Sequence, residues 1–267
     1  MEIELNKVIV VKLGGSIFHS KDTTVADIVK LQKQGRQLVI VHGGANIVNG
    51  WLKRLKIPTR IIHGERATDA ATLEVVAAVL GGLVNKEIVA SIISAGGQAV
   101  GISGADGGLL QAKMRNEEMG YMGNVVRVNP APLVALLGAG IIPVVSPVSL
   151  HAVDRPKGAP RLLNINGDPA AGEIAAAIGA ERLIFLTDVA GINDSSGRLL
   201  AELTPAGAEA LLASGVASGG MVPKVRACLR ALSGGAAACI IDGNQPHILL
   251  KEIEEGGCGT RIAASAG

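Results

Sequence analysis

Aromatic side chains are almost missing from this sequence of 267 residues: Phe18, Trp51, Tyr121 and Phe185 make up about 1% of it. Any core must therefore be built from Ala, Val, Leu and Ile, and stacking platforms for single-stranded nucleic acid are lacking. An excess of either charge is lacking too. Lys and Arg number 25 against 23 Asp and Glu, a net charge of +2, and no run of five like charges occurs. That removes the electrostatic footprint of a nucleic-acid binder. Cysteine is scarce. Cys228, Cys239 and Cys258 are odd in number and share no CxxC spacing, which argues against a disulfide framework or a zinc ribbon and suits reduced thiols in the cytoplasm. The N-terminus, MEIELNKVIVVKLGG, places acidic residues before a short apolar run, unlike a secretory signal. The longest uncharged stretch, between Arg127 and Asp154, is broken by Pro130, Pro132, Gly138, Gly140, Pro143 and Pro147. It reads as helix, turn and buried strand, not as a membrane span. The P-loop pattern GxxxxGKS/T and the dinucleotide pattern GxGxxG are both absent.

What is present is apolar and rich in glycine. Hydrophobic residues make up 48% and charged residues 18%, enough apolar surface to offset the cost of ordering the chain. Thirty-six residues are glycine, about double the ordinary ~7% share, with no collagen period. The length suits one large domain or two small ones. Short β-branched runs at Val8–Lys12, Leu38–Val41, Ala99–Ile102, Ile141–Val145, Leu183–Leu186 and Ala238–Ile241 read as strands. Helical patterns lie between them at Thr72–Ile93, Pro169–Ile178, Pro205–Ser214 and Val222–Leu232. The strands are apolar throughout instead of alternating, the mark of a parallel sheet covered on both faces by helices. The more polar Gln111–Val128 reads as a hairpin excursion from that layer. The fold class is α/β.

In an open parallel sheet, ligands bind beyond the carboxyl ends of the strands. Lys12-Leu13-Gly14-Gly15-Ser16 follows the first strand there, and Val41-His42-Gly43-Gly44-Ala45-Asn46 follows the second. Each is an ordinary turn when taken alone, with Asn46 a candidate helix cap. Two such turns side by side present unblocked N–H groups to a shared anion. His42 suits either a general base or, more commonly, a packed, hydrogen-bonded turn residue. Asn164-Ile165-Asn166-Gly167-Asp168-Pro169 opens a helix, with Asp168 a candidate cap before proline. Ser218-Gly219-Gly220-Met221-Val222-Pro223-Lys224 opens another, and a lysine in a first turn opposes the helix dipole unless an anion is bound there.

These motifs, in order, resemble the amino acid kinase superfamily over nearly the whole chain: KLGGS, HGG, GERATDAATLEVV, QAVGISGADG, GYMGNVVRVNP, NINGDPAAGEIAAAIGAE, LTDVAGI, SGGMVPKV and GTRI. Within it, they are similar to the branch whose substrate is N-acetyl-L-glutamate. The resemblance implies a three-layer αβα sandwich around a mainly parallel open sheet. Residues 1–175 would form a lobe for amino-acid binding and dimerisation, and 176–267 a lobe for ATP. It implies ATP-dependent phosphorylation of the side-chain carboxylate of N-acetyl-L-glutamate in arginine biosynthesis, by a cytoplasmic homodimer. Lys12 and Lys224 match the family lysines that bracket the transferring phosphoryl group, and Asp168 the carboxylate that organises them. Gly43, Gly44, Ala45, Arg66 and Asn164 match substrate-binding positions, Arg66 holding the α-carboxylate. Gly14, Gly15, Asp188, Val189, Gly191, Ile192, Asn193, Val216, Ser218 and Gly220 match segments that hold ATP. Mg²⁺ is implied on the phosphates, with no dedicated protein ligand set.

Two departures from the family pattern stand out. Ala45 replaces a third glycine after His42, as in relatives that act on aminoadipate borne by a small acidic carrier protein, and GADG at 104–107 lacks a lysine common in the acetylglutamate branch. The basic residues Lys53, Arg54, Lys56 and Arg60 suit such a carrier or, more commonly, a solvated helix face. A non-catalytic sensor on this fold has no need of Lys12, Asp168 and Lys224 together. The short lead before the first strand, where arginine-inhibited relatives carry a helix, predicts a dimer insensitive to arginine.

Overall fold

The computed structural model describes residues 4–14, 23–62, 64–153 and 155–264. Eight strands form the main sheet, in the order β12 (Glu202–Leu203), β14 (Gly259–Ile262), β13 (Ala237–Asp242), β11 (Arg182–Thr187), β1 (Ile9–Leu13), β2 (Leu38–His42), β8 (Ile142–Ser146) and β5 (Ala99–Ser103). Neighbours run parallel except β13 and β14. A second sheet of four strands has the order β10 (Leu162–Asn164), β9 (Val148–His151), β6 (Leu110–Met114) and β7 (Gly123–Val128), and β3 (Arg60–Ile62) pairs with β4 (Glu65–Ala67) as a separate hairpin.

The six expected strands form, each shifted or lengthened by a residue or so at its ends. The excursion at Gln111–Val128 is the β6–β7 hairpin, but it does not stand alone: β9 and β10, unmarked in the sequence, complete a sheet around it. The uncharged stretch before position 154 folds as α5 (Ala131–Gly138), β8 and β9.

Central strands bury both faces because the helices do. On one side, α6 (Gly167–Ile178), α7 (Pro205–Ala213) and α8 (Met221–Ser233) pack Ile174, Ala208 and Val225 against Val10, Val39 and Phe185. On the other, α1 (Thr24–Lys33), α2 (Ala45–Arg54) and α9 (Ile248–Glu254) bring Ile28, Leu52 and Leu249 onto Val11 and Ile40. The same face receives one long helical run, α3 (Ala70–Val76), a π-helical segment at Ala77–Val84 and α4 (Asn85–Ser94). By length and composition that run, Ala70–Ser94, would also span a bilayer; here Val76, Leu80, Val84 and Ile88 are buried in the core.

Small residues set the closest approach. A Cβ built on Gly172 of α6 would lie 2.7 Å from the Ala227 carbonyl of α8. The Ala- and Gly-rich sequence thus lets these two helices touch backbone to backbone, which aromatic or leucine-rich faces forbid.

Candidate active site

Strand alternation places the first functional group. Val8 and Val10 point into the layer that holds α6 and α8, and Lys12, two residues further on, points the same way. There α6 begins. Its cap is Asn166, whose Oδ1 accepts the Asp168 N–H at 3.0 Å. Asp168 is therefore not the cap that the sequence suggested: Asn166 lies two residues earlier with extended backbone, which frees the Asp168 carboxylate for the lysines. Lys12 Nζ lies 2.6 Å from Asp168 Oδ1 as a buried ion pair. Lys224, in the first turn of α8, donates to Asp168 Oδ2 at 3.1 Å and to the Gly220 carbonyl at 3.3 Å.

Burial pushes the Asp168 pKa up, but Lys12 and Lys224 outweigh it and hold the carboxyl below its ordinary range. Two ammonium groups share one carboxylate, so the buried group carries one surplus positive charge. Such a surplus is costly to bury and favours an anion that completes it. The N-terminus of α6 adds positive potential at the same point.

The glycine turns divide their work. Gly44 has φ +147°, and a Cβ there would lie 2.8 Å from Leu80 Cδ2, so only glycine fits. Gly44, not Asn46, caps α2, and Ala45 is already its first helical residue. The alanine that departs from the glycine pattern needs no positive φ. Gly14 and Gly43 were expected to offer free N–H groups, but they donate to the Leu186 and Leu13 carbonyls at 3.0 and 3.1 Å and extend the parallel ladder. The free donors at this turn are those heading α2, whose first turn has no intrahelical acceptor. Gly15 and Ser16 lie outside the described residues.

His42 is structural. It is fully buried, with Nδ1 2.9 Å from the Gly43 carbonyl and Nε2 3.2 Å from Asn85 Nδ2. Burial, with Lys12 and Lys86 nearby, lowers its pKa to about 4, so the imidazole is neutral, its Nδ1–H donating and its Nε2 accepting.

A cavity of about 390 Å³ opens over this cluster. Of the expected residues, Lys12, Gly14, Gly43, Gly44, Ala45, Arg66, Asn164, Asp188 and Lys224 line it. Arg66 reaches in from β4, held by the Ala45 carbonyl at 3.2 Å and by Asn49 Oδ1, while its buried Nε has no partner. Asn164 is held by Thr68, its Nδ2 donating to Oγ1 at 3.0 Å. Leu80, Met122, Pro147 and Ile165 supply an apolar wall. The Arg66 guanidinium and the two lysines that hold Asp168 thus line one cavity.

Residues 7–242 match the amino acid kinase family. The chain belongs to that family. It is 54% identical over 257 residues to a protein of Dehalococcoides mccartyi (strain CBDB1) named acetylglutamate kinase, covering 96% of this chain and 94% of that one. It is 47% identical to the acetylglutamate kinase of Thermosynechococcus vestitus, covering 96% of this chain and 88% of that one. Among solved structures, the smu.665 protein of Streptococcus mutans superposes with a TM-score of 0.81 at 25% identity, covering 97% of this chain and 100% of that one. An N-acetylglutamate synthase of Neisseria gonorrhoeae gives 0.82 at 24% identity, covering 98% of this chain and 60% of that one. The fold is that of the amino acid kinases, and the chain is an ATP-using kinase.

Val189, Gly191, Ile192 and Asn193 follow β11 beyond Asp188, outside the cavity wall. Ile192 is buried, and its N–H donates to Thr260 Oγ1 at 2.8 Å; Gly191, at φ +155°, packs on the same Thr260. Val216 and Ser218 precede α8. Asp168 and Gly220 line a second cavity, about 1010 Å³, that adjoins the first through Glu65, Asn166 and Lys224. Asn49, Glu65, Leu80, Met122 and Asn166 were not singled out in the sequence as site residues. Glu65 and Asn166 sit inside the GERATD and NINGDP motifs, whereas Asn49 carries no local signal at all.

Proposed function

We propose that this kinase transfers the γ-phosphoryl group of ATP to the side-chain carboxylate of N-acetyl-L-glutamate, forming an acyl phosphate and ADP, in arginine biosynthesis. The observation that carries the reading is that the pair of lysines on Asp168 and Arg66 line one small cavity. In the reaction a carboxylate oxygen bonds to phosphorus as the bond to the ADP oxygen breaks. Aligning two anions and neutralising charge is most of what such a transfer needs. Lys12 and Lys224 neutralise the equatorial oxygens, and Asp168 keeps both ammonium groups in place. Arg66 takes the α-carboxylate in its fork, with its unpartnered Nε as one donor. Asn164 reads the amide, and the apolar wall receives the acetyl methyl.

We assign ATP to the 176–267 lobe, along Asp188 and the segment before α8, and the amino acid to 1–175. Among the described residues no group of three or more His, Cys, Asp or Glu converges as a metal site, and both Asp168 oxygens face lysines. Mg²⁺ would be held chiefly by the nucleotide, beside Asp188, which lines the same cavity and whose Oδ1 accepts from Thr187 Oγ1 at 3.1 Å. When bound, the ion shields phosphate charge.

The uncharged edge strand β5 and the exposed apolar side chains Val100, Leu83 and Ile93 favour a homodimer. Three free cysteines suit the cytoplasm. Trapping with hydroxylamine tests the reading. ATP- and Mg²⁺-dependent hydroxamate should form on N-acetylglutamate and far less on N-acetylaminoadipate; absence of product on N-acetylglutamate overturns it.

A further inference from the structure

Neighbouring residues on β4 bond different parts of the site. Arg66 turns toward Ala45 and Asn49 of α2. Glu65 turns the other way and uses both of its oxygens. Oε1 accepts from Asn166 Nδ2 at 2.8 Å, and Oε2 forms an ion pair with Arg115. Arg115 is braced in turn by Asn124, its Nε donating to Oδ1 at 3.0 Å. The Glu65 and Arg115 side chains are 19% and 27% exposed, so this is not a solvated surface pair of negligible worth.

The chemistry of Asn166 gives the contact its consequence. An amide has one accepting and one donating end. A carboxylate at Glu65 only accepts, so it fixes the Nδ2 end of Asn166 toward itself. That leaves Oδ1 facing α6, where it takes the Asp168 N–H at 3.0 Å. The orientation of the helix cap, and with it the start of the helix that carries Asp168, is therefore set from the β3–β4 hairpin. The chain of contacts runs Arg115, Glu65, Asn166, Asp168, and ends on Lys12 and Lys224.

We infer that Glu65 is a positioning residue: it ties the hairpin that presents Arg66 to the amino acid to the cap that aims Asp168 and its two lysines at the phosphoryl group. Through it, seating of the amino acid against Arg66 and alignment of the phosphoryl site are one event. This rests on the kinase reading above for its kinetic test.

The test compares Glu65→Ala, Glu65→Gln, Asn166→Ala and the double Glu65→Ala, Asn166→Ala variant, each checked for folding by thermal melting. Misplacement of the reacting groups should lower kcat in Glu65→Ala by roughly 10- to 100-fold, with the KM for ATP little changed. Glu65→Gln keeps an oxygen for Asn166 and should recover to within about fivefold of the parent protein, the worth of one ordinary hydrogen bond. Asn166→Ala should resemble Glu65→Ala, and the double variant should be no worse than the worse single one, because both cut the same link. A merely structural role moves the melting temperature and leaves kcat per folded molecule alone. A second readout is independent of turnover: the backbone amide NMR signal of Asp168 should shift in Glu65→Ala and return in Glu65→Gln. An unmoved Asp168 signal, an unchanged kcat in Glu65→Ala, or losses that multiply in the double variant overturn the inference. An inactive parent protein whose Asp168 signal still responds to Glu65 would instead overturn the assigned substrate alone.

Discussion

Lys224 Nζ donates to Asp168 Oδ2 at 3.1 Å, a contact between residues 56 apart in the chain and carried by two helices that touch through Gly172 and Ala227. Lys12 approaches the other oxygen of the same carboxylate from the end of β1. Three elements thus converge on one buried acid that holds two cations and leaves one positive charge to spare.

Removing Lys224 removes charge that matters most as the phosphoryl group is in flight. Lys224→Ala should lower kcat by roughly 10²- to 10³-fold, the usual cost of losing one such stabilising group, while the KM for ATP changes only a few-fold. Steady-state kinetics check this. A variant with near-normal turnover would place the phosphoryl site elsewhere.

Arg66 is held by α2, not by Asp168, so its loss should read out differently. Arg66→Ala should raise the KM for N-acetylglutamate by roughly 10- to 100-fold, as expected for charge-assisted hydrogen bonds, with the smaller effect on kcat. A loss confined to kcat would show that Arg66 acts on the transferring group and not on the substrate carboxylate.

The helix contact itself is testable. A methyl at Gly172 meets the Ala227 carbonyl at 2.7 Å, so Gly172→Ala must push α8 from α6. Overpacking of this kind costs about 1–3 kcal/mol of stability, and it should lower kcat as well because Lys224 rides on α8. Urea unfolding and kinetics on the same preparation check both, and a variant unchanged in both would mean that the helices can part at no cost.

His42 gives the fold a pH dependence of known sign. In the unfolded chain its imidazole takes up a proton near 6.5, while the folded site holds out until about 4. The unfolded state therefore binds more protons in that window, and the stability due to neutral His42 is complete above about pH 6.5. It falls away as pH drops toward 4, by on the order of 3 kcal/mol over the full span. Urea unfolding at pH 7 and pH 4.5 measures the slope, and His42→Asn should flatten it. An equal slope in the variant would assign the effect to other groups.

The parallel sheet was legible because its strands are apolar on both faces, and Val8–Lys12 or Leu38–Val41 have no other environment to suit them. The pairing of Lys12, Asp168 and Lys224 was legible only through motif resemblance, since nothing local to three distant segments says that they meet. Caps were misread by a residue or two. At both Asn46 and Asp168 a good capping residue lies inside the helix, because an earlier residue, Gly44 or Asn166, meets the backbone demand first. The donors of Gly14 and Gly43 were misjudged because the ladder that consumes them continues past the strand ends. Asn49 and Leu80 enter the cavity by tertiary packing alone, the latter from a π-helical turn that periodicity does not reveal.

The most direct measurement follows oxygen. With N-acetylglutamate labelled with ¹⁸O in its side-chain carboxylate, the acyl phosphate formed from ATP should carry the label in the oxygen that bridges carbon and phosphorus, seen as an isotope shift in its ³¹P signal. Label in that bridge establishes the side-chain carboxylate as the acceptor of the phosphoryl group. Unlabelled inorganic phosphate as the only phosphorus product besides ADP would show that water is the acceptor and would contradict the account.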